Sequence, residues 1–199
     1  MTDERRRYEK KRRAELEAET RLRITESAME LHGTVGPART SISAVAERAG
    51  VRRSTVYRHF PDEAALFMAC SSHWAAENPV PDIEGWRSIA DPDERLRTGL
   101  DELYAFYRRT ERMMDNLHRD ETMPIVSRLF APFREYLAAA RETLLRGRPV
   151  RGRRRDTTRA AIGHALAYPT WRSLTREQGL GDTQASALMC ELVAGAAQS

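Results

Sequence analysis

The chain has 199 residues, 41% hydrophobic and 31% charged, which is enough for one medium domain or for a small domain joined to a larger one. No apolar run approaches the ~20 residues of a membrane span, and the opening MTDERRRYEKKRRAELEAET lacks the apolar stretch of a secretory signal, so a cytoplasmic protein with no membrane partner is expected. The net charge of +4 is unevenly spread: residues 1–60 carry 14 Lys and Arg against nine Asp and Glu, the remainder 19 against 20, so a phosphate backbone is attracted to the first third alone.

Helical spacing dominates, and strand signals are scarce. Met1–Thr20 reads as a charged extension that either runs into the first core helix or precedes it loosely. That helix carries Ile24, Ala28 and Leu31 at i, i+4 and i+7, and Gly33 and Gly36 break it. Thr40 or Ser41 can then cap a short helix with Ile42, Val45 and Ala46 inward. Ala46 is small where two helices cross, Gly50 suits a left-handed turn, and Val51 plugs the space between the helices. A second short helix runs from about Arg53 to Phe60, with Val56 and Phe60 inward and Arg53, Ser54, Tyr57 and Arg58 outward. That outward set suits a duplex: arginine can pair with guanine edges, and a tyrosine hydroxyl can bond phosphate.

Pro79 to Pro92 reads as a loop around Trp86. Asp91-Pro92-Asp93-Glu94 starts a helix with Leu96, Leu100, Leu103, Tyr104 and Tyr107 along one stripe. Pro124 opens another, and Gly147 to Arg155 reads as an arginine-dense loop. Asp156 is expected to cap a helix reaching about Gln178, which Pro169 must kink or divide. Gly179 and Gly181 end it, and Asp182 starts the last helix. The sum is roughly nine helices. Cys70 and Cys190 form no CxxC pair and read as buried thiols.

The segment Ile24 to Leu66 resembles the DNA-binding domain of the TetR (tetracycline-repressor-like) family. The matching residues are Ala28, Leu31, Gly36, Thr40, Ile42, Val45-Ala46, Ala49-Gly50-Val51, Thr55-Val56-Tyr57, His59-Phe60 and Leu66. The resemblance implies that Thr40 contacts phosphate and that Arg52, Arg53, Ser54 and Thr55 face the major groove. It also implies that Tyr57 and His59 bind backbone phosphates. Where the family often has a phosphate-binding lysine, this chain has Glu63, and Arg58 or the basic run Arg5–Arg13 could compensate. The implied architecture is all-α. A three-helix helix-turn-helix domain with its basic extension occupies residues 1–66, and a larger ligand-binding and dimerisation domain occupies 67–199, with dimer contacts on Asp156–Gln178 and Asp182–Ala196.

The implied function is a DNA-binding transcriptional regulator, a ligand-responsive repressor that binds a palindromic operator in double-stranded DNA as a homodimer. Its small-molecule effector is unidentified, and no cofactor or metal is expected. Trp86, Tyr104, Tyr107, Met114, His118 and Trp171 are candidate pocket residues, although such side chains also fill ordinary cores. The alternative is a DNA-binding protein with no small-molecule effector. An enzyme is not expected: His118 with Asp115, Asp120 and Glu121 is the best acid–base cluster, and no second ligand motif, GxSxG or phosphate loop accompanies it.

Overall fold

Ile24 and Ala28 lie one turn apart on α1 (Thr2–Thr34) and are fully buried, which fixes the side of this helix that meets the rest of the chain. The computed structural model describes the backbone of residues 2–198 and the side chains of residues 4–198. It divides the chain into two compact units. The first takes the residues up to Glu77 together with Asp115–Leu129; the second takes Asn78–Met114 and the chain from Phe130 onward.

In the first unit, α1 packs on α2 (Ile42–Arg48) and on α4 (Glu63–Glu77), and α2 packs on α3 (Arg53–His59). Their shared core is Ile24, Ala28, Ile42, Val45, Ala46, Ala49, Val56, Phe60, Leu66 and Cys70. Met1 lies outside the described residues; from Thr2 the charged extension is one unbroken helix with the core segment, and residues 4–19 are exposed on all sides. Alternating Arg/Lys and Glu four residues apart supports that helix where no packing does: Arg5–Glu9 at 3.1 Å, Lys11–Glu15 at 3.9 Å and Arg13–Glu17 at 3.4 Å. α4 runs unbroken past Leu66, and the first compact unit follows it to Glu77.

The second unit holds α5 (Ile83–Arg87), α6 (Pro92–Arg119) as far as Met114, and α7 (Pro124–Leu145) from Phe130. It also holds α8 (Gly152–Ala165), α9 (Tyr168–Arg172), a π turn over Ser173–Glu177 and α10 (Asp182–Gln198). Two expectations need correction, and a third, the break at Pro169, holds. The stretch around Trp86 is a short helix, not a loop, because Asp82 accepts from the Glu84 and Gly85 N–H groups and Trp86 is buried as an anchor. The helix expected to start at Asp156 starts at Gly152, so Arg153, Arg154 and Arg155 are helical and Asp156 lies inside it. Pro169 divides the predicted long helix: α8 ends at Ala165, and α9 restarts with Pro169 in its first turn, where a missing N–H costs nothing. Among the described residues there is no strand, and no helix is long and apolar enough to cross a membrane.

Candidate nucleic-acid interface

The turn between α2 and α3 decides where the outward side of α3 points. Gly50 adopts φ +64°, the left-handed conformation that L side chains rarely take. The Gly50 N–H donates to the Glu47 carbonyl at 3.1 Å and the Val51 N–H to the Ala46 carbonyl at 2.9 Å, the paired bonds of a Schellman ending. Val51 thereby folds back onto the core beside Ala46. From α1, Arg23 Nε donates to the Ala49 carbonyl at 3.0 Å, fixing the end of α2.

α3 is seven residues long and is held at its far end. The Phe60 N–H closes on the Val56 carbonyl at 2.8 Å. The Arg21 guanidinium donates to the His59 carbonyl and lies over the Phe60 ring, 4.1 Å from its centre. With Val56 and Phe60 buried, Arg52, Arg53, Ser54, Tyr57 and Arg58 are exposed, Tyr57 by 41%. None of the three arginines has a carboxylate partner among the described residues. Arg53 lies over Tyr57, 5.9 Å from the ring centre and 3.4 Å from its hydroxyl, so one turn of helix carries a cation and a hydroxyl side by side.

The other candidate residues fall at the edges of this surface. Thr55 is half-buried. Thr40 is also half-buried, and its hydroxyl donates to the Gly36 carbonyl at 2.8 Å; Ser41, not Thr40, caps α2 by accepting from the Ala44 N–H at 3.2 Å. His59 is half-buried, and its Nε2 is covered without a hydrogen bond among the described residues. Burial, then the charges of Arg58 and Arg21, push the His59 pKa below its ordinary value. Glu63 opens α4, fully in solvent, while Asp62 caps that helix by accepting from the Ala65 N–H at 2.7 Å. A carboxylate at a helix N-terminus is favoured by the backbone dipole, which accounts for Glu63 without a phosphate.

Behind this surface lies a set of contacts that no helical spacing announces. Asn116 Nδ2 donates to the His32 carbonyl at 2.9 Å, Arg119 Nη2 to the Val35 carbonyl at 3.0 Å, and Asp120 accepts from the Ala38 N–H at 3.0 Å. Three side chains at the end of α6 thus grip the turn between α1 and α2. Gly36 takes φ +93° there, and a Cβ on it would collide with the Arg119 guanidinium and the Asp120 carboxylate. The Arg119 hydrogen bond holds the Asp120 carboxyl below the usual carboxylate range. Asp120, one member of the acid–base cluster, is therefore occupied in holding this turn. Among the described residues, no group of three His, Cys, Asp or Glu is placed to hold a metal.

The six candidate pocket residues do not all meet. Trp86, Tyr104, Tyr107, Met114 and Trp171 are buried in the second unit, whereas His118 belongs to the first, 3.6 Å from Glu121. Tyr107 packs against Tyr104, Phe133, Tyr168 and Trp171, and Trp86 meets Tyr136 edge-on. The Tyr104 and Tyr107 hydroxyls donate to the Ala165 and Leu166 carbonyls at 2.9 and 2.6 Å, the two groups freed where α8 ends. Trp86 Nε1 donates to Glu102 at 2.7 Å and Trp171 Nε1 to Asp182 at 2.9 Å. The Tyr136 hydroxyl alone among these rings is covered with no hydrogen-bond partner among the described residues.

A short helix on a Schellman turn, with a basic outward side and a core-locking Phe, is what the family comparison then meets. Residues 24–70 match the family model described as bacterial regulatory proteins, tetR family. The TetR-family match falls on the helix-turn-helix segment. No curated protein matches the chain significantly. Among solved structures, a TetR-like transcriptional regulator from Rhodococcus sp. RHA1 is 16% identical over 87% of this chain and 93% of that one, with a TM-score of 0.64. A TetR-family transcriptional regulator from Mesorhizobium loti MAFF303099 is 17% identical over 90% and 96%, with a TM-score of 0.63. The fatty acid degradation regulator FadR from Bacillus halodurans is 15% identical over 87% and 97%, with a TM-score of 0.57. At these identities the likeness is one of fold, and that fold is the TetR-family one: all helical, a helix-turn-helix unit with a larger helical unit after it.

Proposed function

We propose that the protein is a cytoplasmic transcriptional repressor that binds a palindromic operator as a homodimer and releases it when a small molecule enters the second unit. The outward side of α3 carries this reading: five exposed polar or basic residues, Arg52, Arg53, Ser54, Tyr57 and Arg58, on a helix whose other side is locked by Val56 and Phe60. Arg52, Arg53, Ser54 and Thr55 reach base edges in the major groove, and Thr40, Tyr57, Arg58 and His59 bond backbone phosphates. Palindromy follows from two-fold symmetry, with the paired recognition helices about one DNA turn, ~34–36 Å, apart. α8 and α10 supply the dimer contact: α10 packs Ala185, Met189 and Val193 inward and leaves Leu192 54% exposed. The effector bonds the Tyr136 hydroxyl, which is covered and has no hydrogen-bond partner among the described residues, and lies against the rings of Trp86, Tyr104, Tyr107 and Trp171, with Met114 beside them. It weakens operator binding only in so far as it prefers the released conformation.

Selection of bound duplexes from a random pool, followed by titration of the winner, tests the reading. The expected result is an inverted repeat, with Arg53→Ala weakening binding to it by about 1–3 kcal/mol and relaxing the preferred base at one position in each half. Equal loss on selected and random duplexes would rule out base contact by Arg53, and no enrichment of any sequence would overturn the assignment as a sequence-specific regulator.

A further inference from the structure

The amino-terminal half of α1 contributes nothing to the core of its unit: residues 4–19 are exposed throughout, yet they continue one helix with the buried Ile24 and Ala28. Such a helix, with a rise of ~1.5 Å per residue, is an arm of fixed direction rather than a tail. It is charged unequally along its length. Arg5, Arg6, Arg7, Lys10, Lys11, Arg12 and Arg13 lie together, and the acids that follow, Glu15, Glu17 and Glu19, lie between them and the core. The i,i+4 pairs take Arg5, Lys11 and Arg13, leaving Arg6, Arg7, Lys10 and Arg12 without a carboxylate partner among the described residues.

Where this arm leaves the core is fixed by Arg21, which grips the His59 carbonyl and the Phe60 ring at the end of α3. Lys10 and Arg7 precede Arg21 by roughly three and four helical turns, so they project from the side of α1 that Arg21 turns toward α3. Along the axis of α1 they stand ~17 and ~21 Å from Arg21, whose side chain reaches the end of α3. A duplex seated on α3 carries a phosphate charge every ~1.7 Å of its axis, so a cationic arm of that reach meets phosphates flanking the bases that α3 contacts. A membrane surface is a poorer match, because residues 4–19 offer only Tyr8, Ala14, Leu16 and Ala18 as apolar side chains and no continuous apolar face to bury in lipid.

We propose that Arg6, Arg7 and Lys10 form a second DNA contact, a rigid helical arm that binds duplex phosphates outside the operator half-site without reading sequence. The proposal rests on α3 being the DNA-reading element, and its test separates the two. The full chain and the variant Arg6→Gln/Arg7→Gln/Lys10→Gln are titrated against a random-sequence duplex several turns long and against the selected operator, over a range of salt concentrations. Glutamine keeps the helix, which far-ultraviolet circular dichroism checks. Three lost phosphate contacts per protomer make the slope of log affinity against log salt shallower on both duplexes by up to ~2.7 for each protomer bound, up to ~5.4 for the dimer. Operator preference over random DNA stays within twofold, and Arg6→Lys/Arg7→Lys/Lys10→Arg restores the slope. An unchanged slope in a variant of unchanged helicity overturns the arm while leaving α3 intact. A lost preference with an unchanged slope also overturns it, and so does a wild-type protein that binds neither duplex, which sinks the α3 reading as well. Binding to vesicles rich in anionic lipid that the triple variant loses, with DNA titrations unchanged, would assign the arm to a membrane instead.

Discussion

At the scale of single residues, burial separates side chains that contact a partner from those that hold the fold. His32 is buried, stacks on Phe67 and lies 3.3 Å from the Cys70 thiol through its Nδ1. Burial lowers its pKa from 6.5 to about 4, against a smaller opposing pull from Asp120, and pushes the Cys70 thiol up to about 12. The folded ring therefore stays neutral while the unfolded ring takes up a proton as pH falls below 6.5, so acid favours unfolding through the window from 6.5 down to about 4. Between pH 7 and pH 5 this one group removes about 2 kcal/mol of stability. Urea denaturation at the two pH values checks this: His32→Gln should be less stable at pH 7 and should lose about 2 kcal/mol less than wild type on acidification. An identical acid loss in both proteins would place the effect elsewhere. Nothing in the sequence marked His32, because a lone histidine beside Gly33 has no periodicity to betray its neighbours, which come from α4 and the end of α6. The outward residues of α3 were legible for the opposite reason: a seven-residue helix between a turn glycine and a buried Phe has one side left to offer.

At the scale of elements, two glycines do different work. Gly50 needs its left-handed backbone but has open space around a would-be Cβ, so Gly50→Ala should cost only the conformational strain, about 1–2 kcal/mol. Gly36 adds to its own positive φ the Arg119 and Asp120 side chains standing where a Cβ would go, so Gly36→Ala should cost more than Gly50→Ala in thermal or urea melts. Equal costs would mean that the α6 grip yields freely. Elements whose signals are local were readable: the Asp91-Pro92 helix start, the opening at Pro124, and the interruption at Pro169. Those that depend on distant packing were not. Trp86 sits in a helix of five residues, too short to show a period, and it is stabilised by burial against other helices. The arginine-dense segment reads as a loop by composition, but Arg153 to Arg155 need only solvent around them to be helical, and the burial of Thr158 and Ile162 further along anchors the helix they begin.

For the whole molecule, the cationic excess of the first sixty residues is not an excess of the first unit, whose two segments sum to +1 against +3 for the second. Most of that excess lies at α3, where Arg52, Arg53 and Arg58 have no acid beside them, since α1 carries nine cations against eight acids; the second unit has a core of stacked rings. The proposed dimer makes a distinct demand. Leu192, exposed on α10 beside the half-buried Leu188, should be covered in the assembly, so Leu192→Glu is expected to shift sedimentation toward monomer and to weaken palindromic duplexes far more than half-sites. A variant that remains as dimeric as wild type would move the interface off this side of α10. Which unit each stretch joins was the least legible property. A chain reading places residues beyond Leu66 together, but Asp115–Leu129 returns to the first unit through side-chain bonds to the backbone at His32, Val35 and Ala38.

That return has a practical consequence for anyone grafting the helix-turn-helix unit of this protein onto another helical unit. A fragment cut after Glu77 would carry all four helices of the graft yet leave the corner at Gly36 unclasped, its carbonyl at Val35 and amide at Ala38 facing water. A folded chimera has to inherit residues 115–129 as well, so the exchangeable module is discontinuous, and swapping by a single crossover should yield proteins that melt early.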